Sequence, residues 1–225
     1  MRRLQRRGPV EDASQWVPRR VHTEDLAQAV GAAAAHKYAM TAPQALALIG
    51  ARIGVDAQYG FVRMLAFNTA VGNADAHAKN YSIVLDRGVR LAPLYDSLPT
   101  TVWPQVSDDR LAMPIGGAVR AQGVQVGNWA KLARTAGLDP DRVAAIATDV
   151  ARLVRDRAHD TYRDAGVSQP VLTRIDHLIE TTTRQIAPRH QMPGVGIPPE
   201  LAFRADTPAL VRKRAAPNPE KRHTL

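Results

Sequence analysis

The sequence contains no cysteine. That excludes a disulfide framework, a thiolate metal site and a cysteine nucleophile together, and it suits a reducing compartment. No window is apolar enough to span a bilayer. The charged start Met1-Arg-Arg-Leu-Gln-Arg-Arg7 runs into Gly8-Pro9-Val10-Glu11-Asp12 rather than an apolar stretch, so it is no secretory signal. The expected location is cytoplasmic, with no membrane partner. No internal repeat is evident either. What is present is a chain of 225 residues, 45% apolar and 23% charged, the balance of a globular protein long enough to bury a core.

The middle of the chain also lacks an excess of positive charge. The net charge is +9, but residues 1–20 and residues 187–225 each carry +4, which leaves +1 for residues 21–186. A phosphate backbone would find no basic face on the foldable part, so nucleic acid is expected as a partner only indirectly or through the ends. Arg212-Lys213-Arg214 reads as a solvated cluster.

Composition divides the chain into a basic segment (1–18), a folded region (19–186) and a proline-rich basic tail (187–225) with no sustained periodicity, expected to be disordered. In the folded region, Thr23-Glu-Asp-Leu-Ala-Gln-Ala-Val-Gly31 predicts a short helix capped by Thr23 and stopped by Gly31. A second helix is predicted over Thr41–Ile53. A third follows Asp56, with Phe61, Met64, Leu65 and Asn68 at helical spacing, and ends near Gly72. Tyr81-Ser-Ile-Val-Leu85 and Val89-Arg-Leu-Ala-Pro-Leu94 around Asp86-Arg87-Gly88 predict a β-hairpin. The stretch from Thr100 to Gly127 is weakly patterned. Helices are predicted again at Asn128–Ala136, at Asp139–Ala165 with Asp139 as cap and Pro140 in the first turn, and at Ser168–Ile186. Val143, Ile146, Val150, Leu153, Val154 and Tyr162 form the expected core stripe of the longest helix; Val171, Leu172, Ile175, Leu178, Ile179 and Ile186 form that of the last.

Chemistry concentrates in Phe67-Asn-Thr-Ala-Val-Gly-Asn-Ala-Asp-Ala-His-Ala-Lys-Asn80. Phosphoryl transfer needs a carboxylate to orient the attacking hydroxyl and oxygen ligands to hold Mg²⁺ against a triphosphate. Asp75 and Asn80 stand five apart, the spacing of the catalytic Asp and metal-binding Asn in protein-kinase catalytic loops. Asp96 sits at the expected end of the hairpin's second strand, which returns the chain beside Asn80. On this reading Asp75 accepts from the substrate hydroxyl, Asn80 and Asp96 bind Mg²⁺ and ATP, and His77 and Lys79 serve near the transferring phosphate. Each residue also has a plain structural role open to it: Asp75 in a turn, Asn80 closing a loop, Asp96 capping a helix. His77 with Asp75 as a hydrolase metal pair is a further alternative, though His36, separated by two predicted helices, leaves no second His in this region.

Gly72-Asn-Ala-Asp-Ala-His-Ala-Lys-Asn-Tyr-Ser82 followed by Leu91-Ala-Pro-Leu-Tyr-Asp96 resembles the catalytic and magnesium-binding segments of HipA-like serine/threonine kinases, toxins of bacterial toxin-antitoxin pairs. Arg19–Gly31 with Lys37-Tyr38 resembles the start of that family's helical lobe, and Arg110-Leu-Ala-Met-Pro-Ile-Gly-Gly117 its downstream region. The resemblance covers about residues 19–186. It implies a mainly α fold with a small β-hairpin, the C-terminal lobe of a protein-kinase-like fold. It further implies ATP as co-substrate, Mg²⁺, a HipB-like antitoxin partner, and a protein substrate such as an aminoacyl-tRNA synthetase.

Family members also carry an upstream, sheet-rich ATP lobe with a phosphate-covering loop and a strand lysine. Here the only lysine before Lys79 is Lys37, beside a predicted helix, so that N-terminal lobe is expected to be missing. A split kinase with its other lobe on a separate chain, a degenerate remnant and a late start codon all fit. Two rivals to the protein kinase stay open: a phosphotransferase acting on a lipid or small molecule, and a non-catalytic module that binds an antitoxin.

Overall fold

The computed structural model describes residues 3–5, 19–103, 105–106 and 108–188. The cluster Arg212–Arg214, nearly all of the tail and most of the basic segment 1–18 lie outside these residues. Strands β1 (Arg3–Gln5) and β2 (Arg19–Val21) pair antiparallel, with Arg3 opposite Val21. Strand β3 (Thr23–Asp25) leads directly into α1 (Leu26–Ala29).

The sequence places the cap of α1 on Thr23, and the structure corrects this. Thr23 is paired in β3, and Asp25 caps the helix, accepting from the Gln28 amide at 2.8 Å while Gln28 Oε1 accepts from the Asp25 amide at 3.0 Å. Asp-x-x-Gln is a complete capping box, so it takes the helix start from a threonine that the sheet already uses. Thr41 and Gln44 form the same box at the start of α2 (Ala42–Arg52), so the residue predicted to begin the second helix is its cap.

Helix α3 (Val55–Ala70) is followed by the loop that carries the candidate site. Next comes the hairpin of β4 (Ser82–Leu85) and β5 (Val89–Leu91), closed by Arg87 and Gly88 at φ 53° and 118°. Strand β4 is central in the order β3-β4-β5. The weakly patterned stretch holds β6 (Arg110–Ile115) and β7 (Ala118–Arg120), joined by Gly116 and Gly117. A Cβ on Gly116 would lie 2.0 Å from the Asn128 carbonyl oxygen, so only glycine passes there. The chain continues as α4 (Val126–Thr135), α5 (Pro140–Asp164) and α6 (Gln169–Thr183), with Asp139 capping α5 as predicted.

The main core joins Phe61, Val62 and Leu65 of α3 to Trp129 and Leu132 of α4 and to Val143, Ile146 and Ala147 of α5. Each fully buried Leu, Ile, Val or Phe contributes about 1.5–3 kcal/mol by leaving water. A second cluster joins Ala70 and Val71, at the end of α3, to Val154 and Ala158 of α5 and to Ile175, Leu178 and Ile179 of α6. Leu153, expected in the α5 stripe, is 52% exposed; the buried line runs through Ala147, Ala151, Val154 and Ala158 instead. No helix among the described residues is long and apolar enough to cross a membrane.

Candidate active site

The loop from Val71 to Asn80 leaves α3 directly over the second core cluster. Gly72 makes the turn at φ 69°, and a Cβ there would meet Leu178 at 2.7 Å and the Thr101 hydroxyl at 2.8 Å. Glycine is therefore demanded twice, by the left-handed backbone and by the packing of α6. Within Val71–Asn80 every residue is buried except two: Asp75 and Lys79. A loop that hides its alanines and displays one carboxylate and one ammonium is built to present them.

A polar network fixes the loop. Asn73 accepts from the Asp75 amide at 3.2 Å through Oδ1, and its Nδ2 donates to the Asp96 carbonyl oxygen at 3.3 Å and to Asn68 Oδ1 at 3.0 Å. One buried side chain thus ties the backbones of Asp75 and Asp96 together. Asn68 in turn donates to the Tyr81 hydroxyl at 2.9 Å, and Ser97 donates to Asn68 Oδ1. Burial pushes the Tyr81 phenol well up, so it stays protonated. Thr100 accepts from the Ala74 amide at 2.8 Å, and Tyr95 donates to the Lys79 carbonyl oxygen at 2.7 Å. Asn68, Asn73 and Thr100 were given no role from the sequence, and Tyr95 stood only in the motif that ends at Asp96. Asn68 appeared only as a core-spaced residue of α3, and an Asn or Thr in a polar loop gives no signal of which backbone it will clamp.

Asn80 and Asp96 meet directly: Asn80 Nδ2 donates to Asp96 Oδ2 at 2.8 Å. The other amide atom, Asn80 Oδ1, is buried with no hydrogen-bond partner. A buried unpaired acceptor costs roughly 1–3 kcal/mol, and such an orphan calls for an explanation. An oxygen beside a carboxylate is half of a hard-cation site, and Mg²⁺ is commonly held by one or two protein oxygens with phosphate and water completing the shell. The residues present therefore fit Mg²⁺. One detail differs from expectation: β5 stops at Leu91, so Asp96 is five residues beyond the strand and at φ 54°, an uncommon backbone for a residue other than glycine.

Asp75 lies on the wall of a cleft of about 740 Å³, lined also by Tyr38, Val106, Arg110, Ala112 and Val119. His77 Nε2 is 3.8 Å from Asp75 Oδ1. Burial pushes the His77 imidazole down, against the pull of Asp75 and the weaker pull of Asp96, so both carboxylates act on this ring. The structure thus gathers Asp75 with His77 and Asn80 with Asp96, and links the two pairs through Asn73. Lys79 presents its ammonium to solvent with no hydrogen bond or ion pair to the other four. Among the described residues no group of three or more His, Asp or Glu forms a metal cluster, so the hydrolase alternative for His77 gains no ligand set.

With this geometry in hand, known proteins supply the kinship. The profile of the HipA-like C-terminal domain matches residues 1–158. Two proteins of Sinorhizobium fredii (strain NBRC 101917 / NGR234) are similar in sequence: "Putative kinase Y4mE", 33% identical over 73% of this chain and 41% of its own length, and "Putative kinase Y4dM", 28% identical over 72% and 39%. The chain therefore spans about two-fifths of the length of these relatives. Its fold matches a chain in the complex of HipA, HipB and operator DNA from Shewanella oneidensis MR-1, with a TM-score of 0.64 at 19% identity, covering 83% of this chain and 50% of that one. The helices with their small antiparallel sheets thus share the fold of that HipA chain. The chain belongs to the HipA-like C-terminal domain family.

Proposed function

We propose that this chain is the catalytic lobe of a HipA-like serine/threonine protein kinase, transferring the γ-phosphate of ATP to a protein hydroxyl. The observation that carries the reading is the pairing of Asn80, whose Oδ1 is orphaned, with Asp96 through its Nδ2, in a loop that displays Asp75 and is tied to Asp96 by Asn73. Asn80 and Asp96 would hold Mg²⁺, which when bound neutralises charge on the phosphates. Asp75 receives the hydrogen bond of the acceptor hydroxyl and keeps its oxygen in line with the γ-phosphorus. As the new P–O bond forms, the bond to the β–γ bridging oxygen breaks, ADP leaves, and the proton passes to Asp75 and then to water. Lys79 and His77 stand near enough in sequence to serve the phosphates, His77 largely as a neutral group.

Positioning is most of what a kinase supplies, and the relatives are more than twice as long as the matched region. The proposal therefore includes completion by an ATP lobe, in the same or a separate chain. A HipB-like antitoxin partner is proposed from the likeness to the Shewanella HipA, which assembles with HipB on operator DNA. An aminoacyl-tRNA synthetase as protein substrate, and a cytoplasmic site of action, rest on the family resemblance. The test incubates the chain, joined to the upstream lobe of a HipA-like relative, with radiolabelled ATP, Mg²⁺ and either cell extract or lipid vesicles. Label is expected in protein and lost in Asp75→Ala. Label in lipid would move the activity to another acceptor class, and no label with tight antitoxin binding would make this a binding module.

A further inference from the structure

Tyr38 entered the sequence reading only as half of a Lys-Tyr pair, with no chemical role. In the structure its hydroxyl donates to Asp75 Oδ1 at 2.5 Å, across 37 positions of sequence. The segment that carries it is fastened to the site loop, because the Ala78 amide donates to the Lys37 carbonyl oxygen at 3.2 Å. The Tyr38 ring meets His77 edge-on, centroids 5.1 Å apart, and Lys37 Nζ sits 4.7 Å from its centre. The hydrogen bond to Asp75 and partial burial push the phenol up, so it remains a donor throughout the physiological range. All of this surrounds a side chain that is 53% exposed. A half-exposed hydrogen bond adds little to stability, so holding the fold together does not explain the arrangement.

The two oxygens of a carboxylate are equivalent until their neighbours distinguish them. Here Oδ1 takes the Tyr38 hydroxyl and lies near His77, while Oδ2 has no hydrogen-bond partner among the described residues and the side chain borders the cleft. We propose that Tyr38 is a positioning residue for phosphotransfer: by holding Oδ1 of Asp75, it leaves Oδ2 turned to the cleft as the oxygen that receives the acceptor hydroxyl. The inference rests on the kinase reading above and adds to it a residue from a separate segment. A phenol suits the task because its ring reaches across the cleft wall with two torsions to fix, and the donor arrives already aimed.

Two measurements test it. In the 225-residue chain, nitration by tetranitromethane requires the phenolate, so the bond to Asp75 should protect Tyr38 despite its exposure; Tyr81, 1% exposed, reports any unfolding. Peptide mapping should show Tyr38 nitrated several-fold faster in Asp75→Ala than in the wild type, with Tyr81 untouched in both. Equal rates would overturn the bond and the proposal with it. In the completed kinase, Tyr38→Phe keeps the ring and removes the donor. The expected result is a kcat roughly 10- to 100-fold lower at an unchanged KM for the acceptor. An unchanged kcat, or a lower KM with faster turnover, would make Tyr38 a bystander or a plug and sink the idea. A wild-type completed kinase that transfers nothing would remove the kinase reading and this role together, while the nitration result would still report on the bond.

Discussion

At the scale of single residues, the sharpest question is whether Asp96 is there for its backbone or its charge. It sits at φ 54°, a conformation that asparagine tolerates at least as well as aspartate. Asp96→Asn therefore separates the two. We expect stability by chemical denaturation to change by less than about 0.5 kcal/mol. We expect Mg²⁺-dependent transfer by the completed kinase to fall roughly 100-fold or more, because a charged ligand has become a neutral one. His77 offers a second test. Its imidazole is pushed down by burial, so the folded form resists protonation more than the unfolded chain, which titrates near ~6.5. As pH falls through about 6.5 the unfolded chain gains a proton that the folded one refuses, and stability drops; above that value there is no penalty. His77→Gln should flatten the dependence between about pH 7.5 and 5, measured by denaturant midpoint. Asp75, Asn80 and Asp96 could be picked out as candidates because type, order and spacing all point to one chemistry. Tyr38 and Asn73 could not, since their contacts with Asp75 and Asp96 exist only in the folded chain.

At the scale of elements, local signals located most helices and failed where two rules competed. The Asp139 cap stands as read, and Thr41, read as the first residue of its helix, is that helix's cap; Thr23 lost its cap to Asp25 because β4 recruited it into a sheet. The α5 stripe shows a second kind of failure. Leu153 and Val154 are neighbours, both apolar, and periodicity alone cannot choose between them; packing against α6 buries Val154 at 7% and leaves Leu153 at 52%. Thermal and denaturant unfolding should therefore find Leu153→Lys within about 0.5 kcal/mol of wild type, and Val154→Ala destabilised by about 2 kcal/mol. The strands β6 and β7 escaped the sequence reading altogether, because their turn depends on Gly116 passing under the Asn128 carbonyl, a contact between distant elements. Gly72 joins the element scale to the site. Gly72→Ala must strain a left-handed turn by about 1–2 kcal/mol and also push Leu178 of α6 away, so it should destabilise by more than the strain alone.

At the scale of the molecule, the residues proposed for Mg²⁺ and for the acceptor all lie between Asn68 and Thr101 or on the Tyr38 segment fastened to them. They rest on α3, α5 and α6, inside one compact unit, Met1–Met192. A site with that much internal support should exist in the 225-residue chain before any other lobe is added. On the proposed reading an ATP lobe supplies the second wall for the phosphates, so nucleotide affinity of the 225-residue chain by itself should be weak, on the order of 1 mM. At about 5 mM Mg·ATP, such a ligand would stabilise the folded state by roughly 1 kcal/mol, a rise in Tm of about 2–4 °C for a domain of this size. The shift should need both Mg²⁺ and nucleotide and should vanish in Asp96→Asn, whose own Tm stays near that of the wild type. A shift of equal size in the variant, or with ATP in the absence of Mg²⁺, would place the nucleotide elsewhere on the surface. It would also leave the buried oxygen of Asn80 without the cation that this reading gives it.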